Sequence, residues 1–144
     1  GLKFALKHVK EMQQYSGLSH TPLFVPAVGD FEQGKVVQVP LKLWSLENPP
    51  SGQQIYDAIS KHYSGESYVR VMPYQGEGQL RGNNFLEAKL ANQTNEVQLF
   101  VFANDDTQEA LLVARLDNLG IGASGAAGQN MISMRGFSED AGLT

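Results

Sequence analysis

The chain contains no cysteine among its 144 residues. This absence excludes disulfide bonds, thiolate metal ligands and a cysteine nucleophile from the chain itself. Long apolar runs and a signal-peptide pattern are also absent, so we expect a cytoplasmic protein that does not enter a membrane. Positive charge is scarce and scattered, with 11 Lys and Arg residues against 15 Asp and Glu residues and a formal net charge of −4. Because no basic stripe is present, we expect no nucleic-acid partner.

Histidine is also rare, and only His8, His20 and His62 are present. No pair of them has the spacing of metal ligands, so we predict no metal site. His8 lies on the apolar face of a predicted helix, where a single histidine is more often a core residue than a catalyst. An imidazole can nevertheless give and take protons near neutral pH. Both interpretations of His8 stay open on the residues alone.

Apolar periodicity predicts three helices. The first has Ala5, His8, Val9 and Met12 on one face, and Gly17 is suited to end it. Ser51 and Gln54 have the spacing of a capping box at the start of the second helix. The apolar face of that helix comprises Ile55, Ala58, Ile59, His62 and Tyr63. The third helix, rich in small residues, is predicted over about residues 122–134.

Alternating apolar residues predict five strands. They are Val36–Leu43, Tyr68–Met72, Phe85–Leu90, Val97–Ala103 and Ala110–Leu116. Pro40 restricts the first to an edge or a bulge, and Val97–Ala103 is apolar enough for a central strand. Residues 91–95 resemble a hairpin loop between the third and fourth strands, whose close succession favours antiparallel pairing. We therefore expect one α+β domain over residues 1–144, with one sheet and helices on one face.

The segment Gly120–Gly125 matches the letters G-x-G-x-x-G, which invites a dinucleotide-binding interpretation. The context disfavours a complete fingerprint, because three residues separate the predicted strand from the first glycine and no second strand follows. A second interpretation is a helix start whose small residues allow close packing. A third is that bare amides at this helix start approach a nucleotide held by another domain.

The final third of the chain resembles the N-acetyl-gamma-glutamyl-phosphate reductases. Its Leu112–Leu119, Gly122–Ala127 and Gln129–Met131 segments read L-V-A-R-L-D-N-L, G-A-S-G-A-A and Q-N-M. The family pattern is D-N-L-x-K-G-A-S-G-x-A-x-Q-N-M-N. Further resemblances run in family order along the chain: Lys7-His8 with Glu11-Met12, Val28–Phe31 with Gly34, Gly82–Phe85, and the closing segment Gly136–Leu143.

The resemblance implies a fold like the C-terminal domain of glyceraldehyde-3-phosphate dehydrogenase, with a mixed, mostly antiparallel sheet. It further implies a separate N-terminal Rossmann domain that binds NADP, a nucleophilic cysteine outside this chain, and assembly as a homodimer or homotetramer. The reaction would be reduction of an acyl phosphate to N-acetyl-glutamate semialdehyde in arginine biosynthesis. The last helix, residues 120–135, would pack on the Rossmann domain.

The resemblance also implies roles for particular residues. His8 matches the catalytic acid/base histidine. The surface that would face the cofactor comprises Gly122, Ala123, Ser124, Gly125 and Asn130. The loop Gly29–Lys35 is the candidate substrate loop, with Asp30 and Lys35 as candidate substrate-binding residues, although most such loops only reverse the chain.

Three departures from the family pattern leave alternatives open. Ile121 replaces the family lysine, and Ala27 and Gln33 stand where some members carry histidine and arginine. An arginine can grip phosphate or carboxylate through two hydrogen bonds, which a glutamine cannot, and Lys35 would then have to supply the charge. The alternatives are a non-catalytic interaction module on the same fold and a fragment of an aspartate-semialdehyde dehydrogenase.

Overall fold

The computed structural model describes residues 6–82 and 84–137 of the chain. The chain divides into two compact units, residues 1–31 and residues 32–144. Three parts of the sequence predictions lie outside the described residues: Ala5 of the first helix, Asn83, and residues 138–143 of the closing segment. The prediction of a single domain over residues 1–144 stays a prediction.

The first unit contains one helix, α1, over Lys7–Ser16. It ends where the sequence predicts, because Gly17 adopts the left-handed conformation at φ 67° and its N–H bonds to the carbonyl of Gln13. Val9 on this helix is buried, whereas His8 is exposed. The interpretation of His8 as a buried core residue is therefore wrong. Residues 18–31 form no further helix or strand.

The second unit is built on a mixed sheet of four strands in the order β1-β4-β3-β2. The strands are β1 (Lys35–Lys42), β2 (Val69–Val71), β3 (Val97–Asn104) and β4 (Glu109–Leu116). β4 pairs antiparallel with both β1 and β3, and β2 pairs parallel with β3. The mostly antiparallel sheet, the central position of β3 and the edge position of the proline-containing strand β1 are confirmed.

The predicted strand over Phe85–Leu90 is wrong. This segment instead ends in a 3₁₀ helix over Ala88–Ala91, and the carbonyl of Glu87 accepts a hydrogen bond from the Arg115 guanidinium at 3.1 Å. A side chain thus uses a backbone group that a strand would have given to a neighbouring strand. The hairpin partner of β3 is therefore the strand that follows it, β4. The predicted hairpin loop at residues 91–95 is wrong for the same reason.

The two faces of the sheet are covered by different parts of the second unit. On one face, Phe100, Val113 and Met72 form a buried cluster. Val36, Leu86, Phe102 and Leu111 pack against this cluster. Helix α2, over Gly52–His62, lies over alternate residues of the opposite face. The predicted α+β architecture is confirmed.

Helix α2 has the predicted capping box. The Ser51 hydroxyl accepts the Gln54 N–H at 3.2 Å, and the Gln54 side chain accepts the Ser51 N–H at 2.8 Å. The predicted apolar face is half-buried at Ile55, Ile59 and Tyr63, but Ala58 and His62 are exposed. The helix therefore covers the sheet only in part.

The second unit also contains short helical turns and a final helix. Besides Ala88–Ala91, 3₁₀ helices span Leu43–Ser45 and Tyr74–Gly76. A π-helical segment, Gly120–Ser124, leads directly into α3, which spans Gly125–Met134. This confirms the predicted third helix. None of the helices within residues 6–82 and 84–137 is both long and apolar enough to cross a membrane.

The capping box yields a stability prediction. Ser51→Ala should lower the free energy of unfolding by about 1 kcal/mol, because the Gln54 N–H at the start of α2 loses its side-chain acceptor. Ser51→Asp is the matched control, since its carboxylate can accept the same N–H and should keep the stability within about 0.5 kcal/mol of the wild type. Urea unfolding followed by circular dichroism measures both. Equal stability of the alanine and aspartate variants would contradict the assignment.

Candidate functional site

The Asp117 carboxylate lies at the centre of a buried polar cluster directly after the central strand β4. Its side chain is only 1% exposed. It accepts hydrogen bonds from the Gln33 side-chain amide at 2.6 Å, the Gln93 N–H at 2.8 Å and the Leu119 N–H at 2.9 Å. The Gly120 N–H is a further donor. We call Asp117, Asn118 and the residues that donate to them the Asp117 cluster.

Hydrogen bonds keep this buried carboxylate charged. Burial alone would raise the pKa of Asp117, because it removes the charged form from water. The donors of Gly120, Gln93, Leu119 and Gln33 together outweigh that effect and hold the pKa below its ordinary value. All of these donors favour the ionised form, so the cluster requires an anion at this position.

The neighbouring side chain, Asn118, contacts the start of β1. Its carbonyl oxygen accepts the Gly34 N–H at 2.7 Å, and the Asn92 side chain donates to the carbonyl of Gln33 at 3.0 Å. Gly34 has φ +114°, and a Cβ there would lie 2.8 Å from the carbonyl oxygen of Ala88. Only glycine fits this close approach. The Asp117 cluster therefore fixes the path by which the chain enters the sheet.

A second buried polar group, Arg115, supports the sheet rather than a ligand site. Its guanidinium donates to the Gln98 side-chain oxygen at 2.8 Å and 2.6 Å, as well as to the Glu87 carbonyl. It also lies over the Phe100 ring, 5.1 Å from the centroid. Burial lowers the pKa of Arg115, and the nearby charge of Glu87 opposes this effect. With 2% exposure, this cation is inaccessible to a substrate.

The three glycines of the G-x-G-x-x-G segment are explained by close packing within the second unit. A Cβ on Gly120 would lie 2.9 Å from the carbonyl oxygen of Thr94, and one on Gly122 would lie 3.0 Å from the carbonyl oxygen of Asp117. A Cβ on Gly125 would overlap the Asn95 side chain. The close-packing interpretation accounts for all three glycines.

Two amides of the π-helical segment are already engaged. The Gly122 N–H donates to the Asp117 carbonyl at 2.9 Å, and the Ser124 N–H donates to the Leu119 carbonyl at 3.2 Å. These amides are therefore not bare, as the third interpretation supposes. The surfaces of Gly122, Ala123, Ser124 and Asn130 are exposed, and Gly125 is buried. Any contact with a nucleotide would use this exposed surface rather than those two donors.

The other candidate residues are distributed over the two units. His8 lies on α1 of the first unit with its side chain 69% exposed, and its Nδ1 lies 3.3 Å from a carboxylate oxygen of Glu11. Asp30 and Ala27 are exposed in the same unit. Lys35 is exposed in the second unit, where it is the first residue of β1 and pairs with Leu116. The structure thus brings Lys35 close to the Asp117 cluster.

An apolar groove lies on the face of the sheet that α2 covers only in part. Its volume is about 460 Å³. It is lined by Val37, Val39, Ala58, Ile59, His62, Tyr63, Leu99, Leu112, Val113 and Ala114. Val37 and Val39 of the edge strand are 39% and 47% exposed. Within residues 6–82 and 84–137, no group of three or more His, Cys, Asp or Glu side chains could hold a metal ion.

Residues 4–118 match the family model described as semialdehyde dehydrogenase, dimerisation domain. The chain belongs to this family. It is 61% identical over 143 residues to N-acetyl-gamma-glutamyl-phosphate reductase 2 of Nostoc sp. and to N-acetyl-gamma-glutamyl-phosphate reductase of Trichormus variabilis. It is 44% identical over 139 residues to the Mesorhizobium japonicum reductase. These alignments cover 99%, 99% and 95% of this chain but 44% of each relative, so the chain spans less than half of their length.

These relatives confirm the resemblance that the sequence motifs indicate. Sequence reasoning did not, however, predict that Asp117 and Asn118 accept the hydrogen bonds of a buried polar cluster. Both residues belong to the D-N-L motif, which served only to recognise the family. Their adjacency directly after a strand was the available signal, because short polar side chains at strand ends often accept backbone N–H groups. Gln33 likewise has a definite partner in this domain, since its amide donates to Asp117.

The buried carboxylate yields a pH prediction. A depressed pKa in the folded state means that the ionised group stabilises the fold above its unfolded pKa of about 3.9, and that this contribution is lost as the pH falls through the lower folded value. Asp117→Asn should therefore lower the free energy of unfolding by about 1–3 kcal/mol at pH 7, and the difference from wild type should shrink towards pH 3. Urea unfolding at both pH values measures the difference.

The matched control is Asp106→Asn in the exposed turn between β3 and β4. This change should alter the stability little at either pH. A gap between wild type and Asp117→Asn that stays constant from pH 7 to pH 3 would contradict the assigned charge state.

Proposed function

We propose that the chain is the substrate-binding and dimerisation domain of an NADPH-dependent N-acetyl-gamma-glutamyl-phosphate reductase, and that it has no activity without its nucleotide-binding domain. The supporting observation is the 61% identity over nearly the whole chain to proteins of that name. The reaction would be reductive dephosphorylation of the acyl phosphate to the semialdehyde, a cytoplasmic step of arginine biosynthesis. A second domain of the same protein would supply the Rossmann fold.

The chemistry assigns different tasks to the two domains. A cysteine from outside this chain would attack the acyl phosphate and expel phosphate, leaving a thioester. NADPH would supply the hydride that reduces it. The exposed surface from Gly122 to Ser124 suits a cofactor held by another domain, because the side chains of its three residues are small. Asn130, exposed on α3, and Gly125 beneath this surface complete the proposed contact region.

His8 would exchange protons with the reacting carbonyl group. Its exposure leaves the imidazole accessible to a substrate, and the Glu11 carboxylate at 3.3 Å from Nδ1 can orient the ring. A ring oriented through Nδ1 presents Nε2 for proton transfer. This geometry supports the acid/base role for His8.

Lys35 is the better of the two candidates for binding the substrate anion. It is exposed, it begins a strand of the rigid sheet, and its ammonium can offer three hydrogen bonds to a phosphate or carboxylate. Asp30 is exposed as well, but a carboxylate repels an anion and would have to accept hydrogen bonds from another part of the substrate.

The apolar groove and the edge strand β1 support self-association. Val37 and Val39 project from β1 beside the groove, and they would be covered if a second copy of the domain packed on this face. Exposed Met131 and Met134 on α3 offer a separate apolar surface, 60% and 88% exposed, for the Rossmann domain. We propose a homodimer or homotetramer assembled through the groove face.

The acid/base role is tested in the full-length protein. His8→Ala should lower kcat by about 100-fold, the usual scale for a general acid–base residue. His20→Ala, which removes the other exposed histidine of the first unit, should retain near wild-type kcat. NADPH oxidation with the acyl phosphate measures both. An unaltered rate in His8→Ala would refute the role, and an inactive wild type would refute the reductase and favour a non-catalytic interaction module.

The dimer surface is tested on the edge strand. Val39→Lys places a charge in the proposed apolar contact and should raise the dimer dissociation constant by about 30-fold or more, equivalent to about 2 kcal/mol. Gln38→Lys is the matched control, since the neighbouring side chain points to the opposite face of β1. Sedimentation equilibrium compares the two variants. A similar dissociation constant for both would place the interface elsewhere.

A further inference from the structure

A single buried carboxylate connects two segments that are far apart in sequence. On one side, Asp117 accepts the Gln33 side-chain amide at 2.6 Å across 84 residues of sequence. On the other side, it accepts the N–H groups of Leu119 and Gly120, which open the π-helical segment. The position of one segment is therefore coupled to the position of the other through one side chain.

The link to the first segment is reinforced by backbone contacts. Asn118 accepts the Gly34 N–H, and Asn92 donates to the Gln33 carbonyl. The segment Gln33–Lys35 is thus held at three points: the side chain of Gln33, the carbonyl of Gln33 and the amide of Gly34. The next residue is Lys35, whose exposed ammonium group is the proposed anion ligand.

We propose that Gln33 and Asp117 are positioning residues of the reductase, which hold Lys35 at a fixed place relative to the exposed Gly122–Ser124 surface. The proposal rests on the proposed function, because it supposes that these two surfaces meet the substrate and the cofactor. Neither residue needs to touch the substrate. Each acts through the other, since the donor on Gln33 and the acceptor on Asp117 form one bond.

The geometry also indicates what the side chain at position 33 has to do in this chain. The Gln33 amide is directed at a buried carboxylate, not at solvent. An arginine at the same position could donate to the same carboxylate and would form a charged pair with it. The requirement at position 33 is therefore a donor to Asp117, and not a cation for the substrate.

The experiment compares side chains of similar length at position 33 in the full-length enzyme. Gln33→Met removes the donor and keeps the length, whereas Gln33→Arg keeps a donor. We expect Gln33→Met to raise the KM for the acyl phosphate about tenfold, the scale of one hydrogen bond to a charged group, with kcat and the KM for NADPH within about twofold of wild type. We expect Gln33→Arg to keep the KM for the acyl phosphate within about twofold of wild type, because its guanidinium can donate to Asp117.

A control separates positioning from loss of stability. Val101→Ala truncates a fully buried residue of β3 outside the Asp117 cluster, so it should lower the melting temperature and leave both KM values unchanged. If Gln33→Met leaves the KM for the acyl phosphate unchanged, or if Val101→Ala raises it equally, the inference is overturned. An inactive wild type would instead overturn the proposed function, and the inference with it.

Discussion

The second unit depends on a buried negative charge that is satisfied entirely by N–H donors. Asp117 lies where the central strand β4 ends, and its donors come from the start of β1, from the loop before β3 and from the turn after β4. A buried carboxylate without these donors would cost several kcal/mol, so the donors and the anion require one another. Three segments that share no secondary structure are thereby fixed at one end of the sheet.

Features set by neighbouring residues can be predicted from the sequence, whereas features set by contacts between distant segments cannot. The Ser51 capping box and the Gly17 helix end are local, so adjacent residues suffice to predict them. The edge position of β1 follows from the missing N–H of Pro40. The failed strand at Phe85–Leu90 depends on Arg115, which comes later in the chain and takes the Glu87 carbonyl. The parallel pairing of β2 with β3 is equally non-local, and periodicity within a strand carries no information on pairing direction.

The candidate site likewise has features that the sequence predicts and features that depend on contacts between distant segments. The type and spacing of residues around His8 and Gly122–Ser124 indicate chemistry through a family resemblance, and the structure adds that both surfaces are exposed. The sequence cannot show that Gly120, Gly122 and Gly125 pack against Thr94, Asp117 and Asn95, because these contacts form only when distant segments meet. The three glycines therefore correctly indicate that another group packs close to the backbone, but the sequence does not identify that group.

The buried and the exposed charged groups of the chain have separate tasks. Arg115 and Asp117 are nearly inaccessible, and each uses its hydrogen bonds within the fold. His8 and Lys35 are exposed, as the roles proposed for them require. If another domain completes the site, as proposed, a group such as Lys35 must keep a fixed position within the second unit before that domain is present. Hydrogen bonds to a buried anion provide that rigidity at the start of β1, because weakening any one of them leaves a buried polar group unsatisfied.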